Sequence, residues 1–263
     1  MTSEARYTTQ FQAGLGMIPE TLDLLRVWEP GMIPARLAEL VISEGLFART
    51  TARRARNLVA EMFAPRFLAE GGLAAARLKF LLEQRTPLET LIQLFFVYTS
   101  RAQRILGDFV IESYWPKYSA GASTLNRTDA ENFVRRALDS GRMVTRWSES
   151  TVKRVSGYLL GCCEDFGLLA PGGRNDRAIQ RFSIRPDVAL YLCHDLHFAG
   201  VSDNAIVRHP DWRLFGYEPT EVLRQLKRLA QDGYFIVQSS GDLVQLSWKF
   251  RTMNDFLNAL TQK

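Results

Sequence analysis

Ser150, Thr151, Lys153 and Arg154 stand together at the start of a segment with helical spacing, and they are residue types that recognise nucleic acid. Short hydroxyl side chains on the first turn of a helix reach base edges or phosphates, while lysine and arginine further along neutralise phosphates or bond guanine. A related set recurs at Thr220, Arg224 and Arg228. A third lies at Arg49, Thr51, Arg53, Arg54 and Asn57, on one side of an amphipathic stretch. Arg174, Arg177 and Arg181 follow the first set, beyond or within a turn at Pro171-Gly172-Gly173, where they could track a backbone or enter a minor groove. Each set also fits an ordinary solvated helix face. The second is the least basic, because Glu218, Glu221 and Asp232 offset Arg224, Lys227 and Arg228, which suits a structural or protein-binding role.

Other chemistry is thinner. Cys193-His194-Asp195-His197 is the one candidate for a metal, since two histidines three apart share a helix face and cysteine is a good zinc ligand. No second CxxC or HxxxH supports it, so packing and capping are the expected roles, with no metal and no cofactor. Walker, GxSxG, HExxH and dinucleotide-binding signatures are absent, and the acidic residues form no nuclease-like order. The chain is expected not to be an enzyme.

The elements that would carry these residues follow from periodicity and punctuation. Helices are expected over Thr21–Val27, Pro34–Ser43, Thr51–Met62, Leu73–Glu83 and Leu88–Leu106, with Gly45 turning the second into the Arg-rich third. Trp115–Leu125 reads as a linker. Thr128 and Glu131 have capping-box spacing and open a helix ending at Gly141. A basic helix within Ser148–Phe166 then runs into a turn-split pair of strand-like segments, Gly167–Arg185, whose second strand is Ala178–Arg185. The pattern repeats as Glu218–Ala230 followed by Gln231–Trp248, with a convincing hairpin at Tyr234–Gln238 and Leu243–Trp248. Val188–His197 precedes it and Met253–Leu260 closes the chain. Helix then hairpin is the core of a winged helix. The expected fold is therefore mainly α: a helical domain, 1–122, with a possible helix-turn-helix, then two winged-helix-like units, 123–186 and 187–263, with short β-hairpin wings.

The 263 residues carry 33 Lys and Arg against 28 Asp and Glu, a net charge of +5, which favours a polyanionic partner. Three cysteines, two of them adjacent, are a poor disulfide framework and suggest reduced thiols in the cytoplasm. The most apolar run, Leu91–Tyr98, is far shorter than the roughly 20 residues that span a bilayer.

Three segments together resemble the BrxA family: Tyr7-Thr8-Thr9 with Gly14-Leu15, Ser43-Glu44-Gly45-Leu46-Phe47 with Arg49-Thr50, and Thr151–Leu169 ending Asp165-Phe166-Gly167-Leu168-Leu169. The ending Leu246-Ser247-Trp248 is also similar. That family is a small component of BREX bacteriophage-defence systems, once labelled an inner-membrane protein and also likened to the antitermination factor NusB. The resemblance implies a mostly helical, non-enzymatic protein that binds double-stranded DNA beside other BREX components, with RNA kept in view through the NusB likeness; no membrane partner is expected, because no segment is long enough to span. The alternatives are a protein-interaction scaffold within a defence complex and a winged-helix transcriptional regulator.

Overall fold

A computed structural model describes residues 7–8, 16–47, 50–173 and 175–262 of the chain. They form a mainly helical structure with two small antiparallel two-stranded sheets. The chain divides into two compact units, residues 1–82 with 95–182, and residues 83–94 with 183–263.

The first unit begins with α1 (Ile18–Val27) and α2 (Pro34–Ser43), each with a proline in its first turn, where the missing N–H has no helical partner to lose. Gly45, at φ 62°, turns the chain beyond α2. Thr51 caps α3 (Ala52–Asn57), its Oγ1 accepting from Arg54 N at 3.2 Å. The helix then widens to π geometry over Leu58–Leu68, burying Met62, Phe63 and Phe67. α4 (Leu73–Glu83) follows, and α5 (Leu88–Ala102) carries the chain from the second unit back into the first.

The helix expected over Leu88–Leu106 breaks at Gln103, whose φ −122° and ψ 75° are not helical, and resumes as α6 (Arg104–Phe109). The expected linker Trp115–Leu125 is corrected too. It holds α7 (Trp115–Ser119) and most of strand β1 (Thr124–Asn126). Tyr114, Trp115 and Tyr118 pack ring on ring, and Tyr114 Oη donates to Gln180 O at 2.7 Å, so this stretch is fixed by its aromatics.

β1 leads into α8 (Arg127–Asp139) and α9 (Glu149–Asp165), and then β2 (Asp176–Ala178) returns to pair with β1. The register sets Thr124 against Ala178 and Asn126 against Asp176. The expected strand Ala178–Arg185 is therefore corrected: β2 ends at Ala178 and its ladder partner lies before α8. Within Gly167–Arg185 the two arms meet only briefly, through Ala170 N to Ala178 O and Gln180 N to Leu168 O, both 2.9 Å. Apolar and polar residues do alternate in burial beyond β2. Phe182 and Ile184 are buried while Arg181 and Ser183 are exposed. The alternation needs no ladder, because the Gln93 side chain donates to Ser183 O and accepts from Arg185 N, both at 2.9 Å.

The second unit contains α10 (Pro186–Phe198), α11 (Asp203–Val207), a 3₁₀ turn at Pro210–Phe215 and α12 (Pro219–Leu229). The expected hairpin forms as β3 (Phe235–Ser240) and β4 (Leu243–Trp248), with β3 running two residues past the expected strand end, so that Ser239 and Ser240 pair with Val244 and Leu243. α11 satisfies the free edge of β4 with side chains: Asn204 Oδ1 accepts from Val244 N at 2.8 Å and Asp203 Oδ2 from Leu246 N at 2.9 Å. α13 (Met253–Thr261) closes the unit, burying Phe256 and Leu257. Among the described residues no helix is long and apolar enough to cross a membrane.

Candidate nucleic-acid interface

The α8–α9 region is built by short-range polar bonds on an apolar seam of Phe133, Val134, Val152 and Val155. Ser148 is the N-cap of α9. Its Oγ accepts from Thr151 N at 3.3 Å and lies 3.0 Å from the hydroxyls of both Ser150 and Thr151. Two of the expected groove-facing hydroxyls thus belong to a capping cluster. Tyr7 fixes the turn between α8 and α9: its N donates to Arg142 O at 2.7 Å and its O accepts from Val144 N at 3.1 Å. Tyr7 Oη donates to Asp108 Oδ2 at 2.6 Å, and burial, aided by that carboxylate, raises its pKa.

The charge on α9 is sorted by pairing. Glu149 accepts from Arg135 at 2.5 Å, and Arg135 also holds Glu131 at 3.0 Å. Glu164 lies 2.8 Å from Arg177 Nε, an ionic contact without hydrogen-bond alignment. Asp165 Oδ2 accepts from Gly16 N at 2.7 Å. Every carboxylate of the helix is therefore engaged. Lys153 and Arg154 are exposed, and among the described residues no carboxylate pairs with either. They are the uncompensated charge of α9.

The other expected residues are dispersed. Arg177 is largely covered and tied to Glu164, whereas Arg181 is exposed. Arg49 and Arg174 lie outside the described residues. Thr51 is occupied in capping α3, on which Arg53, Arg54 and Asn57 are exposed. Thr220, Arg224 and Arg228 are exposed on α12 in the second unit, where Glu221 accepts from Glu218 N at 3.0 Å and closes the first turn. The charges follow the same division: the first unit holds 23 Lys and Arg against 17 Asp and Glu, the second 10 against 11.

The Cys193-His194-Asp195-His197 cluster is used for packing. His194 is fully buried, stacked on Phe256 at 3.7 Å, with Nδ1 2.8 Å from Leu190 O. His197 stacks on Trp248 at 4.1 Å, and burial raises the pKa of the Cys193 thiol. Among the described residues no three His, Cys, Asp or Glu side chains converge as metal ligands.

The model of the BrxA family matches residues 5–195, most of the chain and all of the α8–α9 region. The chain belongs to the BrxA family. Membership associates it with BREX phage-defence systems. The chain is also similar to a crystal structure of an uncharacterized protein from Magnetospirillum magneticum, at 14% identity over 80% of this chain and 98% of that one, with a TM-score of 0.61. That likeness extends to the fold alone. No curated protein matches. Two groups that organise the α8–α9 region are not singled out by sequence reasoning. Tyr7 gives no local signal for a partner some 135 residues away, whereas Arg135 stands four residues beyond Glu131, at the spacing of a helical ion pair.

Proposed function

We propose that this BrxA-family chain is a non-enzymatic accessory protein that binds double-stranded DNA in a BREX-type defence system, presenting α9 to the major groove. The observation that carries the reading is the pair Lys153 and Arg154, exposed and unneutralised on a helix whose acids are all engaged. The order of elements supports it. β1, α8, α9 and the short arms at Leu168–Ala170 and Ala178–Gln180 follow one another as strand, helix, recognition helix and wing do in a winged helix. Ser148, Ser150 and Thr151 then hold the helix start, and contact with phosphate falls to the cations one turn later.

The test is binding of a mixed-sequence duplex over a range of salt. Affinity should fall steeply as salt rises, because neutralised phosphates release counterions. Lys153→Glu with Arg154→Glu should remove most of the binding. Absence of binding at low salt would sink the proposal. Tighter binding of an RNA duplex would also contradict it, since the A-form major groove is too narrow for a helix. A strong preference for one palindromic sequence would instead favour a transcriptional regulator.

The second unit favours a different use. Its charges balance, and Ile236 and Leu243 are each 63% exposed on the outer face of the β3–β4 hairpin. We propose that this hairpin contacts protein partners within the defence complex.

A further inference from the structure

Gly157 lies in the middle of the 17-residue α9, where glycine weakens a helix relative to alanine. Nothing in the described fold requires it. Its φ is not in the left-handed region, and a Cβ built there meets no atom within 4 Å. Gly16 and Gly72, in the same unit, are explained from inside. A Cβ at Gly16 would fall 2.5 Å from Asp165 Cβ, and one at Gly72 would fall 2.8 Å from the Trp28 ring. Gly161, one turn further along α9, is buried. A side chain at position 157 would instead enter open space.

Its position supplies a reason. Residue 157 is four beyond Lys153 and three beyond Arg154, so it shares their face, and it is seven beyond Ser150. Bare backbone stands directly beside the two unneutralised cations. We infer that Gly157 is the point of closest approach between α9 and a DNA duplex, kept free of a side chain so that the helix can seat deeply enough for both cations to reach phosphates. The inference rests on the proposed DNA-binding role and adds a residue to it whose contribution is the absence of atoms.

The experiment compares the wild-type chain, Gly157→Ala and Gly157→Gln for thermal stability and for duplex affinity at one fixed low salt concentration. Alanine should raise Tm by about 2 °C by favouring the helix. Glutamine adds no charge and should weaken duplex binding about tenfold, the cost of forcing extra atoms into a packed contact. Alanine should fall between wild type and glutamine in affinity. A more stable protein that binds less well is the signature of a contact glycine. Unchanged affinity in Gly157→Gln, while Lys153→Glu with Arg154→Glu still abolishes binding, would overturn this inference and leave the DNA-binding proposal standing. A fall in Tm for Gly157→Ala would also overturn it, by showing an internal need for the glycine. No duplex binding by the wild-type chain would overturn both.

Discussion

His194 shows how a residue suited to chemistry is assigned to structure by its surroundings. Its ring is fully buried against Phe256, with Trp248 edge-on at 5.0 Å, and its Nδ1 is bonded to Leu190 O. That bond places the proton on Nδ1 and leaves Nε2 buried without a partner. Burial is the main cause that lowers the pKa from 6.5 to about 4, with His197 adding to it and the Leu190 bond opposing. The folded chain therefore holds fewer protons on this ring than the unfolded chain between about pH 6.5 and 4. Stability from this group is fully present above pH 6.5 and is lost as pH falls through that window. The loss is roughly 2–3 kcal/mol by pH 4.5, at about 1.4 kcal/mol per unit. Denaturant titrations at pH 7.5 and 4.5 should show a fall in the wild type that is smaller by that amount in His194→Phe. An equal fall in both proteins would rule out the ring as the titrating group. Gly157 is the complementary case at this scale, a residue that no internal contact explains.

Among the elements, α8 shows what sequence spacing conveys and what it does not. Thr128 and Glu131 have the spacing of a capping box, but the bonds belong to Asn126 and Asp129. Asn126 Oδ1 accepts from Asp129 N and Asp129 Oδ2 accepts from Asn126 N, both at 2.9 Å. Glu131 is one turn in, between Arg127 and Arg135. The reason is that Asn126 is also the last residue of β1, opposite Asp176, and the sheet fixes where the helix can begin. Asn126→Ala should cost about 1 kcal/mol, whereas Thr128→Ala should leave stability nearly unchanged. Thermal unfolding of the two variants would settle the assignment, and the reverse order would refute it. The same contrast explains what was legible. The β3–β4 hairpin and most helices are written in local alternation and punctuation. The β1–β2 ladder joins residues about fifty apart, and no local pattern marks Thr124–Asn126 as a strand. The candidate site divides likewise. That Lys153 and Arg154 are exposed follows from helical period, but that Glu164 occupies Arg177 and that Ser148 engages Ser150 and Thr151 depends on the folded geometry.

For the whole molecule, the +5 charge is an average over two unlike units, 23 cations against 17 anions in one and 10 against 11 in the other. A polyanion responds to the local excess, so the first unit should dominate any electrostatic attraction. Salt dependence can apportion it, since each phosphate contact contributes about 0.9 to the slope of log affinity against log salt. Replacing Lys153 and Arg154 by alanine should lower the slope by roughly 2. Replacing Arg224 and Arg228 on α12 should leave it unchanged, because Glu218, Glu221 and Asp232 offset the charge of that helix region. Arg53 and Arg54 on α3 decide whether the surface extends beyond α9. They are exposed, and among the described residues no carboxylate pairs with them. Their replacement should lower the slope by a further amount if duplex DNA reaches α3, and by nothing if α9 acts alone. A slope that falls with Arg224 and Arg228 but not with Lys153 and Arg154 would place the nucleic-acid surface on the second unit and reverse the assignment of the two halves of the chain.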